Sequence, residues 1–410
     1  MKNEPVRSSS RVTKVTKADI VERFGGFMQG VCHPNGTLAD LKDAGFHWVR
    51  RDVPFPYGQN MHATKEFRAW RDFAVSLAEH GIRSVGISPY PSAFIARGYD
   101  VTAPAGLAAV EDICARMASD LGDAVLCWQA TNEMFVPAFR APLTSEQAVD
   151  FTVASIRGLR RGNPRAIVGQ NNHNAKDWAL YNRQIEEKCG GCDYAGVDMY
   201  AGTWAPGGPA DYLPALERVA EESGLPVILM EFGFASAGGM TADITAEAET
   251  FLRAHGFADG KDAADRVDDY ITRVLDVCSP DMAARARTCA PADKVAYLYQ
   301  SIPHVLRKWP AVGPIEHTEA GQAAFYAALL PSLITSPCVA GAMLYCMKDS
   351  AACFTCGSTD CPCETAWGLL RADGSRKPAF DAVAKVFRQT PPLSDAAKLR
   401  RYVTGEDKAL

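Results

Sequence analysis

The sequence predicts an α/β chain closed as a (β/α)8 TIM barrel, and three observations predict it. Short apolar runs of strand length alternate with amphipathic stretches of helical spacing along most of the 410 residues, the pattern of a parallel sheet with crossover helices. No glycine-rich phosphate loop follows the first strand-like run, which demotes the doubly wound nucleotide-binding sheets that also alternate. Polar and acidic residues stand at the C-terminal ends of several runs, where the βα loops of a barrel build a site. No internal repeat is visible, which argues against a solenoid.

Residues 1–20 are polar and basic without periodicity and read as a disordered or surface tail. FMQGVCH (27–33) reads as the first strand, TLADLKDAG (37–45) as a short helix closed by glycine, and FHWVRRDVPF (46–55) as the second strand, stopped by prolines. Thr64 is placed to cap a helix whose apolar positions Phe67, Trp70, Ala74 and Leu77 share one face, with Gly81 at its end. IRSVGIS (82–88) is the third strand. A helix over 106–121 leads to the fourth, in AVLCWQATNE (124–133). Thr144-Ser145-Glu146-Gln147 has capping-box spacing and opens a helix running to Arg161, before the stop Gly162-Asn163-Pro164.

RAIVGQ (165–170) and YAGVDMY (194–200) are the fifth and sixth strands, and a helix over 210–223, closed by Gly224, precedes the seventh in LPVILMEFG (225–233). Over a hundred residues then separate Glu231 from the eighth run, CVAGAMLYC (338–346), far more than a βα connection needs. A helical insertion between strands seven and eight is expected at about 237–300, and the last connecting helix near 318–335. A cysteine-rich loop and a final helix begun by Pro378 follow strand eight. The barrel thus occupies 21–390, with 391–410 as a C-terminal tail.

Composition narrows the partners. A net charge of −5 argues against a nucleic-acid footprint, which is normally built from clustered Lys and Arg. No apolar run is long enough to span a membrane. The start has basic residues with no apolar stretch after them, so no secretory signal is read and a cytoplasmic location is expected, a secreted one if the N-terminus was trimmed. Nothing specifies the oligomeric state. Of the 13 cysteines, Cys32, Cys127 and Cys346 lie in apolar runs and read as small hydrophobes. Cys353, Cys356, Cys361 and Cys363, in CFTCGSTDCPC, have three readings: disulfides, free thiols, or a thiolate zinc site that no His joins.

Two apolar runs end in glutamates, Asn132-Glu133 and Glu231. Either alone reads as a solvated loop carboxylate, but a barrel brings strands four and seven to one rim. Glycoside hydrolysis needs such a pair, one carboxyl protonated and one ionised. Taken in order, WVRRD (48–52), WQATNE, VDMY (197–200), ILMEFG and WGLLRADGSRKPAF (367–380) make the chain resemble clan A of the glycoside hydrolases over roughly 25–385.

The resemblance implies a cofactor-free enzyme acting on carbohydrate, a retaining hydrolase of β-glycosidic bonds working through a covalent glycosyl-enzyme. Glu133 would be the acid/base, Glu231 the nucleophile, and Asn132 the partner of the sugar 2-hydroxyl. Arg50 would hold Glu231 ionised, preferred to Arg51 because adjacent strand residues face opposite ways, and Tyr200 would donate to the same carboxylate. Trp204 leads the stacking candidates, ahead of Phe135, Trp367 and Tyr90. His33 and His173, with Asn171 and Asn172, are candidates to bind hydroxyls. Many clan A enzymes carry Trp at the end of strand eight, whereas this chain has Tyr345-Cys346-Met347-Lys348-Asp349, and Lys348 is a candidate for an anionic substituent. A transglycosylase, a non-catalytic carbohydrate-binding barrel and a zinc-organised interaction protein are the rival readings.

Overall fold

The computed structural model describes residues 15–389 except 173–174, 242 and 311–312. The tail expected at 391–410, most of that at 1–20, and His173 lie outside the described residues. The strands in chain order are β1 (Met28–Cys32), β2 (Trp48–Asp52), β3 (Arg83–Ile87), β4 (Val125–Gln129), β5 (Ile167–Asn172), β6 (Tyr194–Met199), β7 (Val227–Phe232), β8 (Gly239–Thr241), β9 (Lys308–Pro310) and β10 (Val339–Leu344). Eight of them close a barrel in the order β1-β10-β7-β6-β5-β4-β3-β2, and β8 and β9 form a separate parallel ladder. Val31 of β1 lies opposite both Val49 and Leu344, so the seam is an ordinary parallel pairing.

Alternation along each strand sorts the core into two layers. Trp48, Val85, Cys127, Ile167, Tyr194 and Ile228 fill the barrel. Val49, Trp128, Val168 and Leu229 face the helices. Gly169 is the residue that lets the interior close: a Cβ there would stand 2.5 Å from the Tyr194 ring. That ring cannot yield, because its hydroxyl donates to the Trp128 carbonyl at 2.9 Å. Gly169→Ala is therefore expected to cost about 1–3 kcal/mol as overpacking, read as a lower urea midpoint at unchanged m-value.

The local signals act as expected. Thr64 Oγ1 accepts from Phe67 N at 3.1 Å, and Phe67, Trp70, Ala74 and Leu77 are buried in the helix Lys65–Glu79. The Thr144/Gln147 capping box opens Ser145–Gly162. Gly45 and Gly224 close their helices at φ 82° and 64°, where only glycine avoids a Cβ penalty.

Two expectations need correction. The helix Lys17–Phe24, started by a Thr16/Asp19 capping box, begins inside the stretch 1–20 read as tail and runs past its end. Its Ile20 and Phe24 are buried and Phe24 packs edge-on against Trp48 at 4.8 Å, so the helix plugs the N-terminal end of the barrel. Two turns are too short for periodicity to stand out from a polar run. The insertion also extends beyond 300. Its helices begin at Ile244–Ala254 and end with Pro291–Leu306, and the β8–β9 ladder ties its two ends together. The helix Ala175–Cys189 between β5 and β6 has no counterpart in the sequence reading, although Tyr181 and Ile185 are buried on it. No helix among the described residues is long and apolar enough to cross a membrane.

Candidate active site

Arg50 organises the C-terminal end of the barrel. It is 2 % exposed, and a guanidinium that deep is costly unless each N–H finds a partner. Nε donates to Gln129 Oε1 at 2.7 Å, Nη1 to Glu231 Oε1 at 2.6 Å and Nη2 to Asn132 Oδ1 at 2.6 Å. Arg51 turns outward, its guanidinium 4.4 Å from the centre of the Phe73 ring, as the strand alternation requires.

Asn132 Oδ1 is a convergence point. It accepts from Arg50, from Gln129 Nε2 at 2.9 Å and from Asn171 Nδ2 at 2.7 Å. Three donors on one atom identify it as the oxygen and leave the amide nitrogen as the donating end. Glu231 is held at both oxygens, since Tyr200 donates its hydroxyl to Oε2 at 2.7 Å.

The loop after β4 is bent to present Glu133. Thr131 and Glu133 both have positive φ, 65° and 42°, which costs a non-glycine residue about 1–3 kcal/mol. Two hydrogen bonds hold the bend: Thr131 N donates to Ser88 Oγ at 3.0 Å, and Glu133 N to Asn171 Oδ1 at 3.0 Å.

These carboxyls are electrostatically distinct. Burial, then the charge of Glu231, raises the Glu133 carboxyl from 4.5 to about 8. Asp198, on β6, is fully buried and interacts with Glu133; burial and then the two glutamates push it well above the usual range. Glu364 is raised to about 8, chiefly by burial, and accepts the Tyr345 hydroxyl at 3.1 Å.

Of the sequence candidates, Glu133, Glu231, Asn132, Arg50 and Tyr200 come together. His33 joins them half-buried, its ring edge-on to Tyr345 at 5.4 Å; burial lowers its pKa and Asp52 and Glu231 oppose that. Tyr90 also reaches the rim, donating to Asp52 at 3.0 Å.

Other candidates do not join. Asn172 points to the outer layer and donates to Gln170 Oε1 at 3.0 Å; Asn171, one residue earlier, takes the inward position. Trp367 is 1 % exposed and packs edge-on to Tyr200 at 5.0 Å, so it braces the site and offers no face for a sugar. Trp204 is engaged by the insertion, edge-on to Trp309 at 4.7 Å. It lines a cavity of about 560 Å³ with Ile244, Leu252, Leu298 and Ile302, a lining that includes neither glutamate. Phe135 packs on Tyr181 at 4.8 Å. Lys348 lies near the exposed Asp373, whose carboxyl is held low chiefly by hydrogen bonds from Ser375 and only lastly by the Lys348 charge, and the buried lysine of this region is Lys377, paired with Asp349 at 2.8 Å.

Sequence reasoning passed over Gln129, Asp198 and Glu364, and noted Tyr345 only as standing where many clan A enzymes have Trp. Asp198 had a signal: it lies two residues before Tyr200 and so shares its inward face. Glu364 had none, because the single turn of helix Pro362–Thr365 that carries it is placed by distant contacts.

Fold and polar centre together define a (β/α)8 barrel with its ionisable cluster at the C-terminal rim. Among solved structures, xylanase 10B from Thermotoga maritima is similar with a TM-score of 0.55 and 13 % identity, over 92 % of this chain and 98 % of that one. A family 39 glycoside hydrolase from Bacteroides cellulosilyticus matches at 0.54 and 15 %, over 92 % of this chain and 65 % of that one. The GH53 catalytic domain from Ignisphaera aggregans matches at 0.53 and 15 %, over 92 % and 96 %. At such identities the likeness concerns the fold. No protein-family model matches the sequence, and no curated protein does.

Proposed function

We propose that the protein is a glycoside hydrolase that cleaves β-glycosidic bonds with retention of configuration. The observation that carries the reading is the asymmetry of the two glutamates. Burial and a neighbouring charge keep the Glu133 carboxyl protonated to about pH 8, while an arginine and a tyrosine hold the two oxygens of Glu231. Acid-assisted displacement needs one carboxyl that keeps its proton and a second one oriented to attack.

In the first step a Glu231 oxygen bonds to the anomeric carbon as the bond to the leaving oxygen breaks, and Glu133 passes its proton to that oxygen. In the second, Glu133 takes a proton from water, whose oxygen displaces Glu231 and releases the sugar. Asn132 is positioned by its three donors to meet the 2-hydroxyl, a contact that strengthens in the oxocarbenium-like transition state. The solved neighbours that are xylanase and glycoside hydrolase by name support the substrate class. A sugar acceptor in place of water would make the same site a transglycosylase. A barrel that only binds sugar gives no reason for a raised carboxyl at Glu133 beside a carboxylate gripped at both oxygens by Arg50 and Tyr200.

A panel of aryl β-glycosides tests the reading. The sugar first formed, followed by proton NMR, is expected to be the β-anomer, and a 2-deoxy-2-fluoro analogue is expected to label Glu231. An α-anomer formed first overturns retention, and no turnover across the panel overturns the activity.

A further inference from the structure

We infer that His304, Cys353, Cys356 and Cys361 form a closed zinc site that clamps the insertion to the rim of the barrel. The arrangement starts from a local turn. In Cys353-Phe354-Thr355-Cys356-Gly357, Gly357 N donates to the Cys353 carbonyl at 2.7 Å and Cys353 N to the Ser358 carbonyl at 2.8 Å. Gly357 has φ 78°, a conformation that favours glycine. The turn aims Cys356 N at Cys353 Sγ, 3.4 Å away, the amide-to-sulfur contact that stabilises a thiolate.

Cys361 approaches from further along the loop, and His304 from the insertion helix Pro291–Leu306. His304 Nδ1 lies 3.6 Å from Cys353 Sγ and 3.4 Å from Cys361 Sγ. A tetrahedral ion with Zn–S and Zn–N bonds of about 2.3 and 2.0 Å requires N···S separations of roughly 3.5 Å. All four ligand atoms lie within 4.8 Å of one another. The residues are 1 %, 4 %, 0 % and 4 % exposed for Cys353, Cys356, Cys361 and His304. Thiols are weak hydrogen-bond donors and acceptors, so three of them buried around one imidazole gain little without an ion.

Three sulfurs and one nitrogen suit zinc among common biological cations, and four protein ligands leave no open position for catalysis. On binding, Zn2+ takes the place of three thiol protons, which pass to solvent, while neutral His304 gives its Nδ1 lone pair and keeps its proton on Nε2. The site then carries one net negative charge, and Arg307 Nη1, 3.6 Å from Cys356 Sγ, is placed to offset it. Cys363, the fourth cysteine of the loop, is outside the cluster, and its carbonyl accepts the Trp367 indole N–H. The clamp borders the rim of the barrel: Glu364, three residues after Cys361, accepts from Tyr345, whose ring lies 6.2 Å from that of Tyr200.

The test is metal analysis of the full chain, grown with zinc and passed over a chelating resin. About one zinc per chain is expected, together with 13 thiols in the denatured, metal-stripped protein. His304→Ala and Cys356→Ser are expected to lower the bound zinc at least about tenfold, whereas Cys363→Ser keeps it. Should those variants fail to fold, the unaltered chain refolded with cobalt carries the test: thiolate-to-metal charge transfer with tetrahedral d–d bands supports the site. Folded protein without metal, a disulfide among Cys353, Cys356 and Cys361 in peptide maps, or an octahedral cobalt spectrum each overturns it.

Discussion

Replacing Glu231 by Gln is expected to lower kcat/KM on the order of 10⁵–10⁶-fold with the fold intact, because an amide cannot form the glycosyl-enzyme. Glu133→Gln is expected to cost less, about 10²–10⁴-fold, and the loss depends on substrate. A poor leaving group suffers fully, while an activated aryl group departs with little help from an acid and loses least. The two variants also differ in pH dependence. The protonated form of Glu133 is depleted as pH rises through about 8, so the wild-type rate declines there, and the Glu133→Gln variant has no such limb. Wild-type activity in both variants, or equal losses across leaving groups for Glu133→Gln, would sink the assignment.

Arg50→Met is expected to have the second largest effect, on stability as well as rate. The ion pair with Glu231 is 2.6 Å long with side chains 1 % and 13 % exposed, so solvent screening does little to weaken it. Removing one partner of a buried pair leaves a charge uncompensated and costs about 3–5 kcal/mol; Gln129 and Asn132 lose a donor as well. Arg50→Met combined with Glu231→Gln removes both charges and should recover part of the stability lost in the single variant. Urea midpoints and kcat/KM check both points, and an unchanged kcat/KM in folded Arg50→Met would show that Arg50 acts only as a packing group.

Between residues and fold, legibility followed range. Phe67, Trp70, Ala74 and Leu77 lie on one face because 3.6 residues make a turn, and the buried face of Lys65–Glu79 is that set. The strand-end placement of Glu133 and Glu231 was readable because a parallel barrel puts every such end on one rim. Parity also separated Arg50 from Arg51. Parity applied to β5 would have preferred Asn171 to Asn172, but the apolar pattern marks that strand only to 170, and its true end at Asn172 is set by pairing with β6. The stacking role expected of Trp367 failed for another reason: its burial comes from Tyr200, Tyr345 and Trp309, which lie on other segments of the chain.

Short-range regularity is thus what the sequence by itself determined: eight strands, most of the helices between them, the caps, the two glutamates and the arginine face. Tertiary structure decided which distant groups meet. It placed Asp198 against Glu133, turned Trp204 into the insertion, brought Glu364 to Tyr345, and carried His304 to three cysteines about fifty residues further on. Periodicity is a property of neighbouring residues and is written in their order. A contact between a loop and a helix of the insertion depends on how both pack against a third body, the barrel, and no local pattern encodes it.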